Sequence, residues 1–447
     1  MSLFREVWSR EAVGYRQGEL EGGDGVATMV VTLIGGPALL IGSELVTGGG
    51  LALGQILLVA PVAALLGATL IGSSATMAAQ TGANSTWLLR PAFGTFGSHV
   101  ISLFRLAMVA VWAVIGLQLA GTWLDSAATQ AGIASMGPVV PLVLVALLGI
   151  GMAAMGLVPA IKTFYRKPLF VGSVFLVAVL AWRLMETAGG VGFGGEGSFW
   201  SGLQMAAEMA VVFVPFVESV ARRLNDQDEA MSSFGVGYAV PATLMMVAGA
   251  ILAFEMGGIA DLTGLGAGTA GAAVAAAWVL IAEVDQAFSS FTAAGSEGAG
   301  VIPALAPAVV GLVVAVGIVI AAAVLPAVPL SVASLLTAVV FPAALISVAD
   351  FNFTRDRYYT EADIYGSGGI EGFLNVPGIA LWLIAVIVGQ LLDPVGPQTW
   401  LEIFPDIGPD WDLPWRLIIA VVAAAGYVVF TRWHQQRATS VYDLRGV

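Results

Sequence analysis

The chain has 447 residues, of which 58% are hydrophobic and only 11% are charged, and it carries a formal net charge of −13. This composition excludes a soluble globular protein, and the negative charge excludes a nucleic-acid-binding surface, which would need positive charge. Cysteine is absent, which excludes disulfides and thiolate chemistry. We therefore expect an integral membrane protein whose surroundings are the lipid bilayer.

Apolar runs long enough to cross a hydrocarbon core of roughly 30 Å recur about twelve times. The predicted spans are 26–48, 51–78, 98–124, 138–158, 168–186, 200–220, 234–255, 269–290, 304–324, 330–350, 373–392 and 413–431. The polar first 25 residues lack the apolar core of a signal peptide. The fold class is therefore all-α, with about 12 transmembrane helices.

The basic residues are distributed unevenly between the two sides of these spans. Most of the 17 fall in the two tails and in the loops on the same side. By the positive-inside rule that side is cytoplasmic. We expect a multi-pass protein of the cell membrane, a monomer, with both termini in the cytoplasm.

Two spans contain helix breakers. The first contains GGPALLIGSE, with Gly35, Gly36 and Pro37, and the sixth has Pro215 in its middle. Breaks at corresponding places in two five-helix halves mark the binding site of many secondary transporters; ordinary proline kinks are the alternative. The predicted parts are a tail at 1–25, an inverted-repeat core at 26–350, a loop at 351–372, accessory helices at 373–431 and a tail at 432–447.

Charged side chains at membrane depth are costly unless they face a cavity or a partner. The candidates are Glu44, Arg105, Glu208, Glu218, Glu255, Glu283 and Asp285. We expect Glu218 and Glu255, near span ends, to reach water, and Arg105 to reach water or to pair with an acid. Glu44, Glu208 and Asp285 are predicted to be functional, with hydrogen bonding between helices as the alternative.

Signatures of enzymes are missing from the sequence. It contains no HExxH motif, no nucleophile beside a base, and only two histidines, His99 and His434. We therefore expect no enzymatic activity, no catalytic residue and no cofactor.

Three segments resemble one transporter family. They are AAQTGANSTWLLRPAFGTFGSHVISLFRLAMVAVW at 78–112, PAALISVADFNFTRDRYY at 342–359 and, more weakly, the end of the sixth span at 218–222. In order and spacing they resemble the third, tenth and sixth helices of the nucleobase:cation symporter family 1. The stretch GSELVTGG at 42–49, with Glu208 ahead of Phe213, is similar to the hydroxymethylpyrimidine permease branch.

The resemblance implies a fold of five plus five inverted helices, of the amino acid-polyamine-organocation superfamily type, with broken helices 1 and 6 and two accessory helices. It also implies symport of a flat heterocycle with Na⁺ or H⁺. In this family a tryptophan at the position of Trp112 stacks on the substrate, and helix 6 presents a polar side chain near Glu208. Phe213 or Phe216 would cover the second ring face. The expected substrate-binding residues are Trp112, Glu208, Glu44, Phe213 and Gln118.

The helix 8 positions that carry hydroxyl ligands for sodium in the family are occupied here by Asp285 and Gln286. A carboxylate beside the carbonyl groups of a broken helix 1 would bind a hard cation through oxygen. It could equally take up a proton, because burial favours the neutral carboxyl. The expected coupling residues are Asp285 as the sodium candidate, Gln286, Gly35, Pro37 and Ala38.

The sequence thus predicts a secondary transporter that imports a pyrimidine-like heterocycle, such as hydroxymethylpyrimidine or cytosine, by cation symport with alternating access. A purine, hydantoin, allantoin or amino-acid symporter of the same fold is the alternative. Glu44 and Glu208 argue mildly against an anionic substrate. A channel or a membrane-bound sensor would share the number of spans.

Overall fold

The computed structural model describes residues 18–187, 195–257, 268–302, 305–360, 363–364, 373–404, 406–409 and 411–443. The predicted tails and the predicted loop at 351–372 lie partly outside these residues, and so does the side chain of Glu255. The regular structure within them is helical, apart from an isolated parallel bridge between Leu20 and Leu224. The predicted all-helical class is confirmed.

The first half of the chain forms eight α-helices. They are α1 Gly22–Ile34, α2 Gly36–Thr47, α3 Leu53–Thr81, α4 Ser85–Leu88, α5 Arg90–Gln130, α6 Val139–Met155, α7 Leu157–Ala160 and α8 Phe170–Thr187. A π-helical segment, Ile161–Leu169, joins α7 to α8. The backbone of α5 is non-helical at Gly94, where φ is 72°.

The second half forms ten further helices. They are α9 Phe199–Glu208, α10 Ala210–Ala221, α11 Asp228–Met256, α12 Gly268–Trp278, α13 Val284–Val301, α14 Pro307–Val324, α15 Leu330–Ala349, α16 Val376–Leu392, α17 Gln398–Leu401 and α18 Trp415–Asp443. Two π-helical segments, Val279–Glu283 and Asp350–Thr354, continue α12 into α13 and extend α15.

Local sequence explains several helix ends. The side chains of Asn84, Ser198 and Asn375 precede α4, α9 and α16, and each accepts a hydrogen bond from a first-turn N–H. At the other end, α3 and α11 stop at Gly82 and Gly257, whose φ values of 66° and 72° suit glycine.

Among the described residues, eight helices are long and apolar enough to cross a membrane, or up to ten if each bent pair is one span. The bent pairs are α1 with α2, at 45°, and α6 with the α7–α8 segment, at 115°. Another apolar helix, α16, has 17 residues. The chain is a multi-pass membrane protein.

The break predicted in the first span is present. Ile34 ends α1, Gly35 is extended with a ψ of −178°, and α2 begins at Gly36 with Pro37 in its first turn. Proline lacks an N–H, so it suits the start of a helix better than its interior. The first span therefore consists of two helices that meet at Gly35.

The break predicted at Pro215 is wrong. Pro215 lies inside α10, and the interruption of the sixth span is at Met209, which keeps helical φ and ψ angles of −54° and −33°. The hydroxyls of Ser219 and Ser85 donate to the carbonyl oxygen of Pro215, at 2.8 and 3.3 Å. A proline in a helix leaves the carbonyl four residues earlier without its N–H partner, so these two hydrogen bonds hold the turn at Pro215 in place and do not replace the lost bond.

Hydrogen bonds and an ion pair bring several helix ends together at the end of the bundle that carries Arg166 and Arg223, which we call the basic end. Glu19 N–H donates to the carbonyl oxygen of Arg223, and Gly22 N–H donates to Glu229. Arg166, in the π-helical segment before α8, pairs with Asp24 at 2.8 Å. The start of α1, the start of α8 and the end of α10 therefore lie together.

At the end of α15 a buried carboxylate joins three elements. The Asp350 side chain accepts hydrogen bonds from the phenols of Tyr359 and Tyr427, at 3.0 and 3.1 Å. Asn375, which caps α16, donates to the Tyr427 hydroxyl. Burial and the Asp350 carboxylate raise the pKa of Tyr359 well above its usual value, so this phenol remains a donor.

Small residues let α2 and α11 approach closely. A Cβ added to Gly42 would overlap the carbonyl oxygen of Met246, and one added to Gly249 would overlap that of Leu39. Each glycine thus faces the backbone of the other helix, the close packing typical of membrane helices. The broken first span is held tightly against α11 by this contact.

We expect Gly249→Ala to destabilise the protein by about 1–3 kcal/mol, because an added methyl group forces the two backbones apart. The measurement is thermal unfolding of the purified protein in detergent. Gly317→Ala is the matched control, since Gly317 is also helical and its Cβ would meet no heavy atom within 4 Å. Equal melting temperatures for the two variants would contradict the proposed contact.

Candidate cation and substrate site

The break in the first span lies against the π-helical segment that precedes α13. A Cβ on Gly35 would stand 3.0 Å from the carbonyl oxygen of Ala282, and one on Gly36 would stand 2.6 Å from the Oε1 of Gln286. Only glycine allows this approach. π-Helical turns inside α-helices often mark functional sites, and this turn brings the eighth span, formed by α12 and α13, onto the break.

Two buried carboxylates face the break. Glu283 ends the π-helical segment and is 1% exposed, and Asp285 in the first turn of α13 is fully buried. None of their four carboxylate oxygens has a hydrogen-bond partner, and the buried hydroxyl of Thr32 also lacks one. Burying an ionised carboxylate without a partner is costly, so this cluster needs a cation or protons.

The broken helix gives the two carboxylates different surroundings. The Gly36 N–H, at the positive N-terminal end of α2, faces Glu283, and a helix N-terminus favours negative charge. Thr32, in the last turn of α1, faces Asp285, where the carbonyl end of α1 favours a cation. Asp285, Thr32 and the α1 carbonyl groups are therefore the oxygen ligands best placed to hold a cation.

A hard cation fits this donor set, because Na⁺ is bound by carboxylate, hydroxyl and carbonyl oxygens. Among the described residues, no group of three or more His, Cys, Asp or Glu side chains could hold a metal ion. Backbone and hydroxyl oxygens would thus supply much of the coordination. Pro37 and Ala38 are buried in the first turn of α2 and shape the break rather than supply a charged group.

Gln286 connects this cluster to Trp112. Its Nε2 donates to the carbonyl oxygen of Trp112 at 3.2 Å, and its Oε1 lies against Gly36 and has no hydrogen-bond partner. Gly116, one turn along α5, makes room for the amide. The Gln286 side chain therefore connects α13 to α2 and to α5, the helix that carries Trp112.

The Trp112 indole is 2% exposed, and its N–H donates to the Thr337 hydroxyl of α15 at 3.2 Å. This hydrogen bond fixes the orientation of the ring in the helix core. The structure thus brings Trp112 of α5, Asp285 and Gln286 of α13, and Gly35 at the break of the first span into one region.

Glu208 lies in a different environment from the one predicted. Its carboxylate pairs with Arg416 in the first turn of α18, with Nε to Oε1 at 3.0 Å and NH2 to Oε2 at 3.4 Å. Arg416 also contacts Asp393, and Asp393 accepts from the Gln204 amide. The Glu208 carboxylate therefore neutralises an arginine, and the break that it was expected to accompany at Pro215 is absent.

Glu44 and Gln118 lie away from the break. Glu44 is half-buried in the last turn of α2, within 3.5 Å of the exposed Thr47 hydroxyl. The Gln118 side chain binds the end of α14: its amide nitrogen contacts the carbonyl oxygens of Ala322 and Leu325, and its oxygen accepts from Val328 N–H. Gln118 thus caps a helix end.

The two phenylalanines of α10 point to different neighbours. Phe213 packs edge-on against Tyr238 of α11, with ring centroids 6.0 Å apart. Phe216 packs edge-on against Phe288 of α13 at 6.1 Å. Phe216 therefore lies on the side of α10 that faces α13, whereas Phe213 faces α11.

A separate charge cluster joins α5, α10 and α13. Arg105 pairs with Glu218 at 2.5 Å and with Glu297 at 3.0 Å, and the three side chains are at most 3% exposed. The prediction that Glu218 reaches water is wrong, because the Arg105 guanidinium compensates its charge inside the bundle. The prediction that Arg105 pairs with an acid is confirmed.

Sequence reasoning missed Thr32 and Glu297 and gave no role to Glu283. Glu283 and Thr32 had a usable signal, since one is two residues from Asp285 and the other lies three residues before the Gly-Gly-Pro break. Glu297 fell outside the predicted span at 269–290, whereas α13 continues to Val301.

No family model and no curated protein matches the sequence. The fold is similar to that of Mhp1, a nucleobase-cation-symport-1 family transporter, in a closed conformation with bromovinylhydantoin bound. The TM-score is 0.73 at 17% identity, over 95% of this chain and 96% of that chain. For inward-facing Mhp1 the TM-score is 0.66 at 17% identity, over 93% and 91%.

A third solved structure, MhsT in complex with L-phenylalanine, gives a TM-score of 0.55 at 14% identity, over 94% of this chain and 100% of that chain. At these identities the similarity establishes the fold alone. The all-helical fold similar to that of Mhp1 is therefore confirmed, whereas the twelve spans, the inverted repeat and the hydroxymethylpyrimidine branch stay predictions.

Amide substitutions should separate the unpaired carboxylate from the paired one. In sodium-free alkaline buffer we expect Asp285→Asn to stabilise the protein by about 1–3 kcal/mol, because it removes a buried charge without a partner. Glu208→Gln should destabilise it by about 1.5–3 kcal/mol, because Arg416 loses a charged hydrogen-bond partner. Thermal unfolding measures both, and a destabilising effect of Asp285→Asn equal to that of Glu208→Gln would contradict this assignment.

Proposed function

We propose that this protein is a secondary active transporter of the nucleobase:cation symporter type, which carries a flat heterocycle together with a cation by alternating access. One observation carries the proposal: the buried Asp285 lacks a counter-charge beside the broken helix, and Gln286 links that site to Trp112. The similarity of the whole fold to Mhp1 supports it.

The proposed topology has twelve passes. The 115° bend between α6 and the α7–α8 segment separates two passes, and α16 adds one beyond the helices that meet the length criterion. Spans 1–5 and 6–10 form the inverted repeats, and α16 and α18 are accessory helices. The basic end is cytoplasmic, which places both termini inside, and the monomer is the transporting unit.

The substrate proposed is an uncharged, flat heterocycle that stacks on Trp112. Glu208 is paired with Arg416, so the argument for an aminopyrimidine, which required a free carboxylate at this position, no longer holds. The proposed substrate class therefore also includes heterocycles without an amino group. Hydroxymethylpyrimidine, cytosine, purines and hydantoins are all candidates. The Mhp1 structure with bromovinylhydantoin bound favours a heterocycle over an amino acid.

Coupling follows from the shared broken helix. A cation at Asp285 and Thr32 would neutralise the buried charge and fix the end of α1, while Gln286 holds the start of α2 near the helix that carries Trp112. Each ligand then stabilises the arrangement that the other needs, and such coupling is reciprocal. No enzymatic step and no cofactor belong to this proposal.

A thermal-shift screen tests the proposed substrate class and coupling ion. Pyrimidines, purines, hydantoins and L-phenylalanine are added to the purified protein with and without sodium. A ligand at 100 times its Kd should stabilise by about 2.7 kcal/mol, and we expect this for a heterocycle, with a larger shift in sodium. Stabilisation by L-phenylalanine alone would overturn the substrate class, and shifts indifferent to both sodium and pH would overturn cation coupling.

Variants of Trp112 test the stacking role with the heterocycle found in that screen. Trp112→Leu should weaken binding roughly tenfold or more, because stacking of a base on an aromatic ring contributes about 1–3 kcal/mol. Trp112→Phe keeps a ring face and should lose less. Thr337→Val is the control that removes only the indole hydrogen bond; equal affinity for Trp112→Leu and wild type would exclude the stacking role.

A further inference from the structure

The Arg105, Glu218 and Glu297 cluster lies well away from the broken helix. Glu297 is about 18 Å farther along α13 than Asp285, by the helical rise. Its Oε1 is 3.0 Å from the Arg105 Nε, and Glu218 approaches the other side of the same guanidinium. The cluster is therefore a separate set of charges on the same helix as the cation site.

Its charges do not balance. One guanidinium faces two carboxylates, so the cluster would carry a net negative charge if both were ionised. All three side chains are at most 3% exposed, and a buried charge without compensation is strongly unfavourable. The cluster needs one additional positive charge.

The hydrogen bonds around Thr86 indicate where that charge lies. The Thr86 Oγ1 contacts the Ser102 Oγ at 2.9 Å, the Glu297 carbonyl oxygen at 3.1 Å and the Glu297 Oε2 at 3.2 Å. A hydroxyl has one proton and two lone pairs, so it cannot donate to both oxygens of Glu297. If the Oε2 itself carries a proton, all three contacts are satisfied: Thr86 donates to the carbonyl and accepts from Ser102 and Glu297.

We propose that this cluster is a proton-binding site in which Glu297 carries the proton on Oε2 and donates it to the Thr86 hydroxyl. The Glu297 carboxylate takes the proton from a hydronium ion, which leaves water, and Glu218 remains the single counter-ion of Arg105. A metal cation is disfavoured, because it would have to lie beside the guanidinium. The buried Glu297 Oε1, which has no hydrogen bond, keeps only its charge contact with Arg105.

Four helices contribute groups to the cluster. They are Ser85 and Thr86 from α4, Ser102 and Arg105 from α5, Glu218 from α10 and Glu297 from α13. Arg105 is the cation that faces both carboxylates, and it also donates to the carbonyl oxygen of Ser85; the groups of Ser85, Thr86 and Ser102 are uncharged. A Cβ on Gly300 would overlap the Thr86 Oγ1, so α13 is shaped to admit this hydroxyl. The site depends on neither the transported substrate nor the cation at Asp285.

Infrared spectroscopy of the purified full chain, without sodium or substrate, tests the proposal. The carbonyl stretch of a buried protonated carboxylic acid should be present at neutral pH, shift in D₂O and disappear at alkaline pH. Glu297→Gln should remove it. Glu218→Gln should also remove it, because Glu297 then becomes the ionised partner of Arg105. All spectra are recorded in an Asp285→Asn, Glu283→Gln background, because those two buried carboxyls without partners would otherwise add bands of their own, and this background is the control that should retain the band.

A further variant keeps the proposal testable if Glu297→Gln or Glu218→Gln does not fold. Thr86→Val removes the acceptor of the proposed O–H bond, so the band should move to higher frequency without being lost. A band that is unchanged in Glu297→Gln or in Thr86→Val would overturn the proposal. So would a band that sodium removes in the Asp285→Asn, Glu283→Gln background, since a metal ion would then have replaced the proton.

Discussion

The first span ends one helix and starts another at Gly35, and the backbone groups freed there need partners that lipid does not offer. The rest of the candidate site depends on this interruption. The opposite ends of the two helix dipoles meet at the break, so one side attracts negative charge and the other attracts a cation. The π-helical segment Val279–Glu283 supplies Glu283 to the side that attracts negative charge, and α13 supplies Asp285 to the side that attracts a cation.

How far the sequence predicted this site depends on how local each cause is. The break at Gly35 was predictable because two glycines followed by a proline weaken a helix at one point. Asp285 stood out as an acid at membrane depth, and Gln286 was found only through the family resemblance. The helix was wrongly broken at Pro215 because membrane helices tolerate an internal proline, and one contact that holds this turn comes from Ser85, which is 130 residues away along the chain.

Pairing across the chain was the other limit. Glu208 was expected to face the substrate, but its partner Arg416 is 208 residues away, and no local pattern connects them. Glu297 was missed because the predicted span ended at residue 290, whereas α13 continues to Val301 and packs against α4, α5 and α14 in the bundle core. Periodicity and composition predict where a helix lies in the chain better than which charges it will meet.

The positions of two arginines determine what the acidic residues in the described helices can do. Arg416 forms an ion pair with Glu208 and a second contact with Asp393. Arg105 forms ion pairs with both Glu218 and Glu297. Glu283 and Asp285 have no such ion pair, and their oxygens lack hydrogen-bond partners. Glu208 and Glu218 each have an arginine and stabilise the packing of helices. Glu297 shares Arg105 and is the proposed proton site, whereas Glu283 and Asp285 have no arginine and lie at the proposed cation site. Asp285 and Glu297 both lie on α13, about 18 Å apart by its rise, and this separation would let the proposed cation and the proposed proton bind without competing for the same oxygen atoms.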